Sequence, residues 1–312
     1  MRYHIIPSLL PASALLVLAA CGPDEGAPTG PADAATTALA VTTGAGLGGE
    51  IVFESFLDGN LDIYAVSADG SALRRLTSDP APDTDPSWSA GGRRIAFSSG
   101  RSGNYELYTM DPDGTNLTMV TSDPGIDWFP SIGRKRLAWA SDRDGDFEVY
   151  VADPSGAGVT KITDHPTRDW DVALAPDEKQ VAFAGDRTGV FQVYVATLSP
   201  PYPLTQVTTG PFDSGQPAWS PDGKRLAYIS NADGDFEIYV VTLATGAVVQ
   251  VTDHPADDRE PAWSPDGKLL VFSSSRSGAR DLYITSADGT ALWQVTSGAG
   301  VEQFPEWTRN SH

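Results

Sequence analysis

Residues 217–252 read PAWSPDGKRLAYISNADGDFEIYVVTLATGAVVQVT, and this stretch contains one complete copy of the unit that decides the fold. Pro217–Ser220 is a short apolar strand. The next four residues, Pro221–Lys224, form a tight turn, because Pro presets φ at the first corner and Gly accepts the positive φ that follows. Further strands are predicted at 225–229, 236–241 and 248–252. The stretch therefore predicts four short antiparallel strands.

The same unit recurs along the chain every 42 to 45 residues. An apolar-Tyr pair marks each copy, with its tyrosine at Tyr64, Tyr108, Tyr150, Tyr194, Tyr239 and Tyr283. An apolar-Thr pair marks each copy again, with its threonine at Thr77, Thr121, Thr163, Thr208, Thr252 and Thr296. Because both markers keep one register, the unit is repeated six times. Four strands per repeat of this length predict an all-β propeller with one blade per repeat.

The two ends of the repeat array complement each other. The first copy begins at 51–55 without a Pro-x-Trp strand before it, whereas Phe304–Trp307 follows the last marker as an orphan strand. If residues 305–308 supply the innermost strand of the first blade, six complete blades close into a ring without an open edge at the seam. We therefore expect residues 48–312 to form a six-bladed β-propeller, closed by pairing of the C-terminal strand with the N-terminal blade.

The N-terminal residues are predicted to lie outside this fold. Arg2 and an apolar run broken by two prolines form a signal peptide over residues 1–20, which is too short for a permanent membrane span. The string Leu-Ala-Ala-Cys-Gly resembles a bacterial lipobox, and this resemblance implies an extracytoplasmic chain that is lipid-anchored at Cys21. The alternative is an ordinary signal peptide with a stray cysteine. Residues 21–47 are rich in Gly, Ala, Thr and Pro and predict a disordered tether.

Composition excludes several classes of function. The chain has 21 Lys+Arg against 41 Asp+Glu, a formal charge of −20, so nucleic acids and anionic bilayer surfaces would repel it. We expect membrane contact only through the lipid anchor. A single cysteine excludes a disulfide framework and a multi-thiolate metal site. The nucleophile-elbow, zincin and P-loop motifs do not occur, so catalysis is not indicated. We expect a monomer.

Three strings carry a family resemblance. Trp219–Lys224 (WSPDGK), Trp263–Lys268 (WSPDGK) and Ser141–Tyr150 (SDRDGDFEVY) resemble the WD40-like repeat of the TolB β-propeller family. Two copies depart from the pattern, because the third has a shortened turn at Ile132–Lys135 and the fourth reads APDEK at Ala175–Lys179 without a tryptophan. The resemblance implies the family's propeller but not the N-terminal α/β domain of TolB, for which the tether is too short.

The loops that cross from one blade to the next carry a second repeated feature. Five of six copies have an acidic residue three positions before the proline that opens the inner strand. With two neighbouring tryptophans, these residues predict an electronegative, partly aromatic channel mouth for a basic or aromatic peptide or a cation. The candidate residues are Asp83, Asp127, Trp128, Asp169, Trp170, Asp258 and Glu302. The position before the proline adds Asp85, Asp171, Glu260, Phe129 and Phe304. Alternatively, each Asp only accepts hydrogen bonds from backbone amides of its own loop.

Candidate metal ligands are few. The third copy has oxygens spaced rather like those of a Ca²⁺ loop at Asp142, Asp144, Asp146 and Glu148. Gly145 comes one residue too early for the full signature, and a tight turn explains the loop equally well. His165 and His254 share the string Thr-Asp-His-Pro in crossing loops two blades apart, too far for joint ligation unless both reach the channel axis. We expect no cofactor, with Ca²⁺ as the open alternative.

These observations predict a binding protein. By resemblance, a TolB-like propeller docks a peptidoglycan-associated lipoprotein and short N-terminal peptides at its mouth. We therefore expect a non-catalytic binding or scaffold propeller of the bacterial cell envelope, with an envelope protein or peptide as its partner. Two alternatives stay open. One is a metal-assisted hydrolase or lyase that acts on a carbohydrate or lactone, and the other is a carbohydrate-binding lipoprotein with Trp128 and Trp170 as stacking platforms.

Overall fold

The structure, a computed structural model, describes residues 47–298 and 300–308. Every regular element in these ranges is a β-strand, and the strands form six four-stranded antiparallel sheets. Within the same ranges no helix is long and apolar enough to cross a membrane. The predictions for the signal peptide, for lipidation at Cys21 and for the tether up to residue 46 lie outside the described residues.

The first twelve strands are β1 (Glu50–Ser55), β2 (Asp62–Ser67), β3 (Arg74–Arg75), β4 (Asp83–Trp88), β5 (Ile95–Ser99), β6 (Glu106–Met110), β7 (Thr118–Met119), β8 (Asp127–Ile132), β9 (Leu137–Ser141), β10 (Glu148–Ala152), β11 (Thr160–Lys161) and β12 (Asp169–Leu174). The other twelve are β13 (Gln180–Gly185), β14 (Gln192–Thr197), β15 (Leu204–Gln206), β16 (Ser214–Trp219), β17 (Arg225–Ser230), β18 (Glu237–Thr242), β19 (Ala247–Gln250), β20 (Asp258–Trp263), β21 (Leu269–Ser274), β22 (Asp281–Ser286), β23 (Leu292–Gln294) and β24 (Glu302–Thr308).

Each sheet is one blade of a propeller. Blade 1 has the strand order β24-β1-β2-β3, and blades 2 to 6 follow along the chain as β4–β7, β8–β11, β12–β15, β16–β19 and β20–β23. The first strand in each order is the innermost and lines the central channel, whereas the fourth is short and outermost. The prediction of an all-β, six-bladed propeller is confirmed.

The core lies between neighbouring blades. The middle strands of a blade are buried on both faces, as in β5 and β6, where every residue is buried. Between blades 1 and 2, Val52 and Ile63 pack against Trp88 and Phe97. Because both faces are covered, these strands read as nearly continuous apolar runs in the sequence.

The C-terminal strand closes the ring. β24 pairs with β1 in an antiparallel register that places Ile51 opposite Trp307 and Ser55 opposite Glu302. The Trp307 indole N–H also donates a hydrogen bond to the Gly48 carbonyl at 3.2 Å. This confirms the predicted closure, in which the orphan strand completes the first blade.

Every inner strand contains a bulge one residue before its proline position. In blade 2 the register shifts between Thr84 and Ser87, and each bulged residue has a left-handed backbone with φ between 48° and 55°. These six residues, called the ring residues below, are Asp85, Phe129, Asp171, Gln216, Glu260 and Phe304. Non-glycine residues seldom adopt this conformation, so the surrounding structure must hold it. β16 accordingly begins three residues before the predicted Pro217, because a bulge breaks the alternation on which the prediction relied.

The two turns that depart from the repeat pattern, in blades 3 and 4, are hydrogen-bonded to each other. Glu178, in the turn of blade 4, has φ 56° where blades 5 and 6 have a glycine. Its carboxylate accepts hydrogen bonds from the backbone N–H groups of Arg134 and Lys135, both at 2.9 Å, in the shortened turn of blade 3. A Cβ at Gly133 would lie 2.6 Å from the Glu178 carboxyl carbon, so glycine leaves room for this contact.

Candidate functional site

A cavity of about 440 Å³ lies on the channel axis, and the inner strands of all six blades line it. The ring residues belong to its lining. From the ring, the lining continues through the later residues of the inner strands to the turns between first and second strands, such as those at Gly91 and Gly133. The cavity therefore extends from the ring away from the crossing loops, where the sequence pattern predicted the ligand mouth.

The cavity lining is acidic, aromatic and rich in proline. Its carboxylates are Asp85, Asp171, Glu178, Glu260 and Glu306. Its aromatic side chains are Trp88, Phe129, Trp219, Trp263, Phe304 and Trp307. Among the described residues that line it there is no lysine, arginine or histidine. Such a lining favours a ligand that carries both positive charge and apolar surface.

Hydrogen bonds connect ring residues of neighbouring blades. The side-chain carboxylate of Asp171 accepts from the backbone N–H of Gln216 at 3.2 Å. The Gln216 amide oxygen accepts from the N–H of Glu260 at 3.0 Å, and the Glu260 carboxylate accepts from the N–H of Phe304 at 3.3 Å. In blades 5, 6 and 1 the bulges thus aim the backbone N–H of the ring residue at the preceding blade, which satisfies a polar group that would otherwise be buried without a partner.

Glu54 of β1 replaces the acceptor that Phe304 lacks. Its carboxylate accepts from the Asp85 N–H at 3.0 Å, and its side chain is almost completely buried. Burial, together with repulsion from Asp85 and Glu260, raises the pKa of Glu54 well above its usual range. Burial also raises the pKa values of Asp85 and Asp171 to about 7. Asp85 and Asp171 therefore titrate close to neutral pH.

Glu306 adds a further acidic group deeper in the cavity. Its carboxylate accepts from the Trp88 backbone N–H at 2.6 Å, and burial raises its pKa to about 7. At the ring, the phenyl groups of Phe129 and Phe304 come from blades 3 and 1, and their centroids are 6.0 Å apart. The contact between these two phenyl groups narrows the channel at the level of the ring residues.

Four of the predicted mouth residues are fully buried in ion pairs. Asp83, Asp127, Asp169 and Asp258 have no exposed surface, and each pairs with an arginine that follows the second strand of its own blade. The arginines are Arg101, Arg143, Arg187 and Arg276. Glu302, at the same position, contacts hydroxyl groups of Ser55 and Thr296 instead. None of these residues lines the cavity, and their contact with a ligand stays a prediction.

The two predicted stacking platforms are covered by other side chains. Trp128 lies between Tyr105 and Phe147, with ring centroids 5.1 Å and 6.0 Å away. Trp170 stacks on Phe191 at 4.9 Å, and the Arg168 guanidinium lies 4.7 Å from its ring centroid. Both tryptophans are buried and offer little free surface for a sugar ring.

The candidate Ca²⁺ loop uses its oxygens locally. Asp142 accepts from the Ile126 N–H at 2.6 Å, Asp144 accepts from the Tyr150 hydroxyl at 2.6 Å, and Glu148 bonds to Thr163 and His165. In the described part of the chain, carboxylates come within ligand distance of one another at Glu106, Asp123 and Asp127. Arg143 already bridges Asp123 and Asp127. Ca²⁺ binding at the predicted loop, with Asp146 as its fourth residue, stays a prediction.

The two histidines form contacts within their own crossing loops. The Nδ1 atom of His165 is 2.8 Å from the Thr167 hydroxyl oxygen, and Nδ1 of His254 accepts from the Ala256 N–H at 3.1 Å. These bonds occupy one ring nitrogen of each histidine. Neither histidine lines the cavity.

Two acidic residues of the site, Glu54 bound to the ring residue Asp85 and Glu306 in the cavity lining, were missed by the sequence analysis. Glu54 occupies a position where the other five blades have Ser98, Ala140, Ala184, Ile229 and Ser273. Glu306 occupies a position where the other copies have serine or alanine. Both could have been found in the sequence, because each is a carboxylate at a repeat position where the other copies have a small or apolar residue.

Several solved structures of other proteins share the fold of this chain. TolB from Acinetobacter baumannii matches with a TM-score of 0.75 and 23% identity, and the alignment covers 83% of this chain but 66% of that protein. An Agrobacterium tumefaciens structure assigned as TolB matches with a TM-score of 0.66 and 19% identity over 84% of this chain and 99% of that one. An oligogalacturonate lyase in complex with manganese matches with a TM-score of 0.57 and 17% identity, over 80% of this chain and 74% of the lyase.

At these identities the structural matches show a shared fold only. A search of curated protein sequences finds no match. The family profile described as the TolB beta propeller domain matches residues 47–132 and 202–312, which together make up more than half of the sequence. The chain therefore belongs to the TolB beta-propeller domain family.

Proposed function

We propose that this protein is a non-catalytic binding propeller of the bacterial envelope, and that its channel cavity receives a cationic, partly apolar segment of another protein or peptide. The observation that carries the proposal is the composition of the cavity lining, in which the described residues supply five carboxylates and six aromatic side chains but no basic side chain. A lysine or arginine side chain entering this space gains from the carboxylates and from the ring faces.

The shape of the cavity favours a chain end or a narrow loop over a flat protein surface. The space is small, at about 440 Å³, and the Phe129–Phe304 contact narrows it at the ring. The rim is formed by the turns between first and second strands, which offer backbone groups around the opening. A short segment inserted there would bury its apolar groups against the tryptophans and leave the rest of the partner outside.

The proposed setting is the extracytoplasmic side of a bacterial membrane. The signal sequence and the lipobox resemblance support export and lipid attachment at Cys21. Family membership supports the same setting, because the TolB resemblance implies an envelope protein that docks a peptidoglycan-associated lipoprotein and short N-terminal peptides. We propose a partner of that kind, an envelope protein or peptide, for this chain.

Site-specific cross-linking in the producing bacterium tests the proposal. A photo-cross-linking amino acid would replace Ala90, which is exposed at the cavity rim. The matched control would replace Ser102, which is exposed in the loop between β5 and β6 of the same blade. We expect a discrete adduct from position 90 only, and mass spectrometry should find a lysine or arginine in the cross-linked segment of the partner.

Two changes to the cavity should remove the adduct. Asp171→Asn with Glu306→Gln deletes two carboxylates while keeping the shape of both side chains, and high salt screens the remaining charge. Equal adducts from positions 90 and 102, or an adduct that is insensitive to both the variant and salt, would contradict the proposal.

A further inference from the structure

Acidic side chains face each other at five of the six seams between blades. The first residue of each third strand meets the first residue of the inner strand of the next blade. The five acidic pairs are Asp62–Asp83, Glu106–Asp127, Glu148–Asp169, Glu237–Asp258 and Asp281–Glu302. The sixth seam, between blades 4 and 5, has the uncharged residues Gln192 and Ser214 at these positions.

Four of the five acidic seams also contain an arginine. In blades 2, 3, 4 and 6 it lies two positions after the last residue of the second strand and pairs with the inner-strand Asp, as Arg101 pairs with Asp83. At the fifth acidic seam, which joins blade 6 to blade 1, the corresponding residue is Leu57. The seam that closes the ring therefore holds an acidic pair without the positive charge that its counterparts have.

The contacts of the Asp281–Glu302 pair are otherwise polar and neutral. Glu302 lies near the hydroxyls of Thr296 and Ser55, at 3.2 Å and 3.5 Å. One Asp281 oxygen, Oδ2, accepts from Ser277 and from the Gln294 side-chain amide at 3.1 Å. The other, Oδ1, is buried and has no hydrogen-bond partner. Unpartnered carboxylate oxygens also occur at the Glu237–Asp258 seam, where Arg276 supplies a positive charge. At the Asp281–Glu302 seam a proton on the facing carboxyl would supply the missing donor.

The charged groups around this pair are engaged elsewhere. Arg276, in the loop before β22, is bound to Asp258, and Arg280 is bound to Glu260. Glu54, on β1, accepts from the Asp85 N–H. Among the described residues, no arginine or lysine forms an ion pair with Asp281 or Glu302. Burial and the Asp281 charge raise the pKa of Tyr283 on β22.

We propose that Asp281 and Glu302 form a proton-dependent latch at the seam that closes the ring. A shared proton bridges the two carboxyl groups and holds the start of β24 against blade 6. When the proton is lost, two buried negative charges face each other without a cation, and this end of β24 separates from β22.

Two further observations support the latch. Burial and repulsion from Asp281 raise the pKa of Glu302 to about 7, so the proton is lost near neutral pH. In addition, β24 is the strand that closes the ring, and the same strand carries Phe304 and Glu306, which line the cavity. The latch residue thus lies two positions from the ring residue that narrows the channel.

Hydrogen–deuterium exchange of the full chain in mild detergent tests the latch. Protection of the β24 amides would be measured at pH 5.5 and pH 8.0 and corrected for the intrinsic exchange rate at each pH. We expect protection at Glu302–Phe304 to fall by about tenfold or more at the higher pH, which corresponds to one pKa unit of differential proton binding. The internal control is β16, the equivalent inner strand, whose seam has Gln192 and Ser214 and should change much less.

Three variants separate the latch from general loss of stability. Glu302→Gln and Asp281→Asn each remove one charge while preserving shape. Each should reduce the pH dependence of protection at Glu302–Phe304 to that of β16, because other titrating groups such as Glu306 remain. Leu57→Arg supplies the cation that blades 2, 3, 4 and 6 possess, and it should keep β24 protected at pH 8.0. Equal pH dependence in β24 and β16 of the parent chain, or an excess pH dependence of β24 over β16 that survives in the neutral variants, would overturn the proposal.

Discussion

Asp83 and Arg101 are joined by two hydrogen bonds, from the Nη2 group of the arginine to both carboxylate oxygens at 2.7 Å and 2.8 Å. The Asp83 side chain has no exposed surface, and the Arg101 guanidinium lies 5.0 Å from the centroid of the Tyr108 ring. An Asp–Arg ion pair at the same two positions recurs in blades 3, 4 and 6. Blade 5 has Ser214 and Ala232 at these two positions and needs no charge pair.

Removing the arginine alone should be more damaging than removing the pair. Arg101→Ala leaves the Asp83 carboxylate buried without a cation, which should lower the free energy of unfolding by about 3–5 kcal/mol. The double variant Asp83→Ser with Arg101→Ala copies the two residues of blade 5 and should lose much less, because the buried carboxylate that remains at this seam, Asp62, keeps its own partner Arg75. Urea denaturation of the two variants and the parent chain measures the difference. A single variant as stable as the double would contradict a structural role for the pair.

The Glu178 carboxylate should stabilise the chain despite its strained backbone. Glu178→Gly relieves the steric strain of the left-handed backbone, which costs about 1–2 kcal/mol in a non-glycine residue. The same substitution also removes two hydrogen bonds that a charged carboxylate accepts. Each of these bonds contributes about 1.5–3 kcal/mol where buried and less in this half-exposed turn. We expect a net loss of about 1 kcal/mol, with Glu178→Ala losing more because it keeps the strain.

Chemical denaturation would rank these three chains. The expected order of stability is parent, then the glycine variant, then the alanine variant. Gly223→Ala in blade 5 is the matched control for strain alone, because Gly223 has φ 67° in the equivalent turn. A glycine variant that is more stable than the parent would show that the two altered turns are independent of each other.

The fold could be predicted from the sequence because its period is repeated six times. The position of the closing strand could be predicted from the same period. Trp307 belongs to an inner-strand motif that is not followed by the other three strands of a repeat. The bulges could not be predicted in the same way. Asp85 and its equivalents were aligned correctly, but their left-handed conformation depends on packing around the channel rather than on local residue preferences.

The role of Asp83 and its counterparts as buried ion-pair partners could be recognised only from residues outside the crossing loops. Asp83 and its counterparts occur together with an arginine 16 to 18 residues later, and where the Asp is Ser214 the arginine is absent. The joint occurrence of Asp and Arg was visible in the sequence. The arginine, however, lies in the loop between the second and third strands rather than in the crossing loop that the sequence analysis aligned. The location of the cavity depends on side-chain volumes near the axis, and these cannot be derived from spacing alone.

Replacing the lone cysteine tests the proposed anchor. Cys21→Ser removes the thiol that the lipobox resemblance assigns to lipid attachment. The parent chain should incorporate a labelled fatty acid, whereas the serine variant should not, because it lacks the thiol that would carry the acyl chain. Gly22→Ala is the control, since it keeps the thiol. Incorporation of the labelled fatty acid by the serine variant would contradict lipid attachment at Cys21.

Stability should decrease as the pH rises from 5 to 8. Asp85, Asp171 and Glu306 have pKa values raised to about 7 by burial, so the folded chain binds protons that the unfolded chain has already lost above about pH 4–5. A raised pKa of this kind contributes stability that is complete below the unfolded-state pKa and is lost as the pH rises through the folded-state value. Each unit of raised pKa corresponds to about 1.4 kcal/mol.

Thermal unfolding at pH 5.0, 6.5 and 8.0 measures this dependence. The melting temperature should fall across the series, and Asp85→Asn combined with Asp171→Asn should flatten the fall, because amides keep the shape of the ring and carry no charge at any of these pH values. Asp69→Asn is the matched control, since Asp69 is exposed and its pKa is lowered by hydrogen bonds from Ser71. A melting temperature that rises towards pH 8 would mean that the channel carboxylates are ionised in the folded protein.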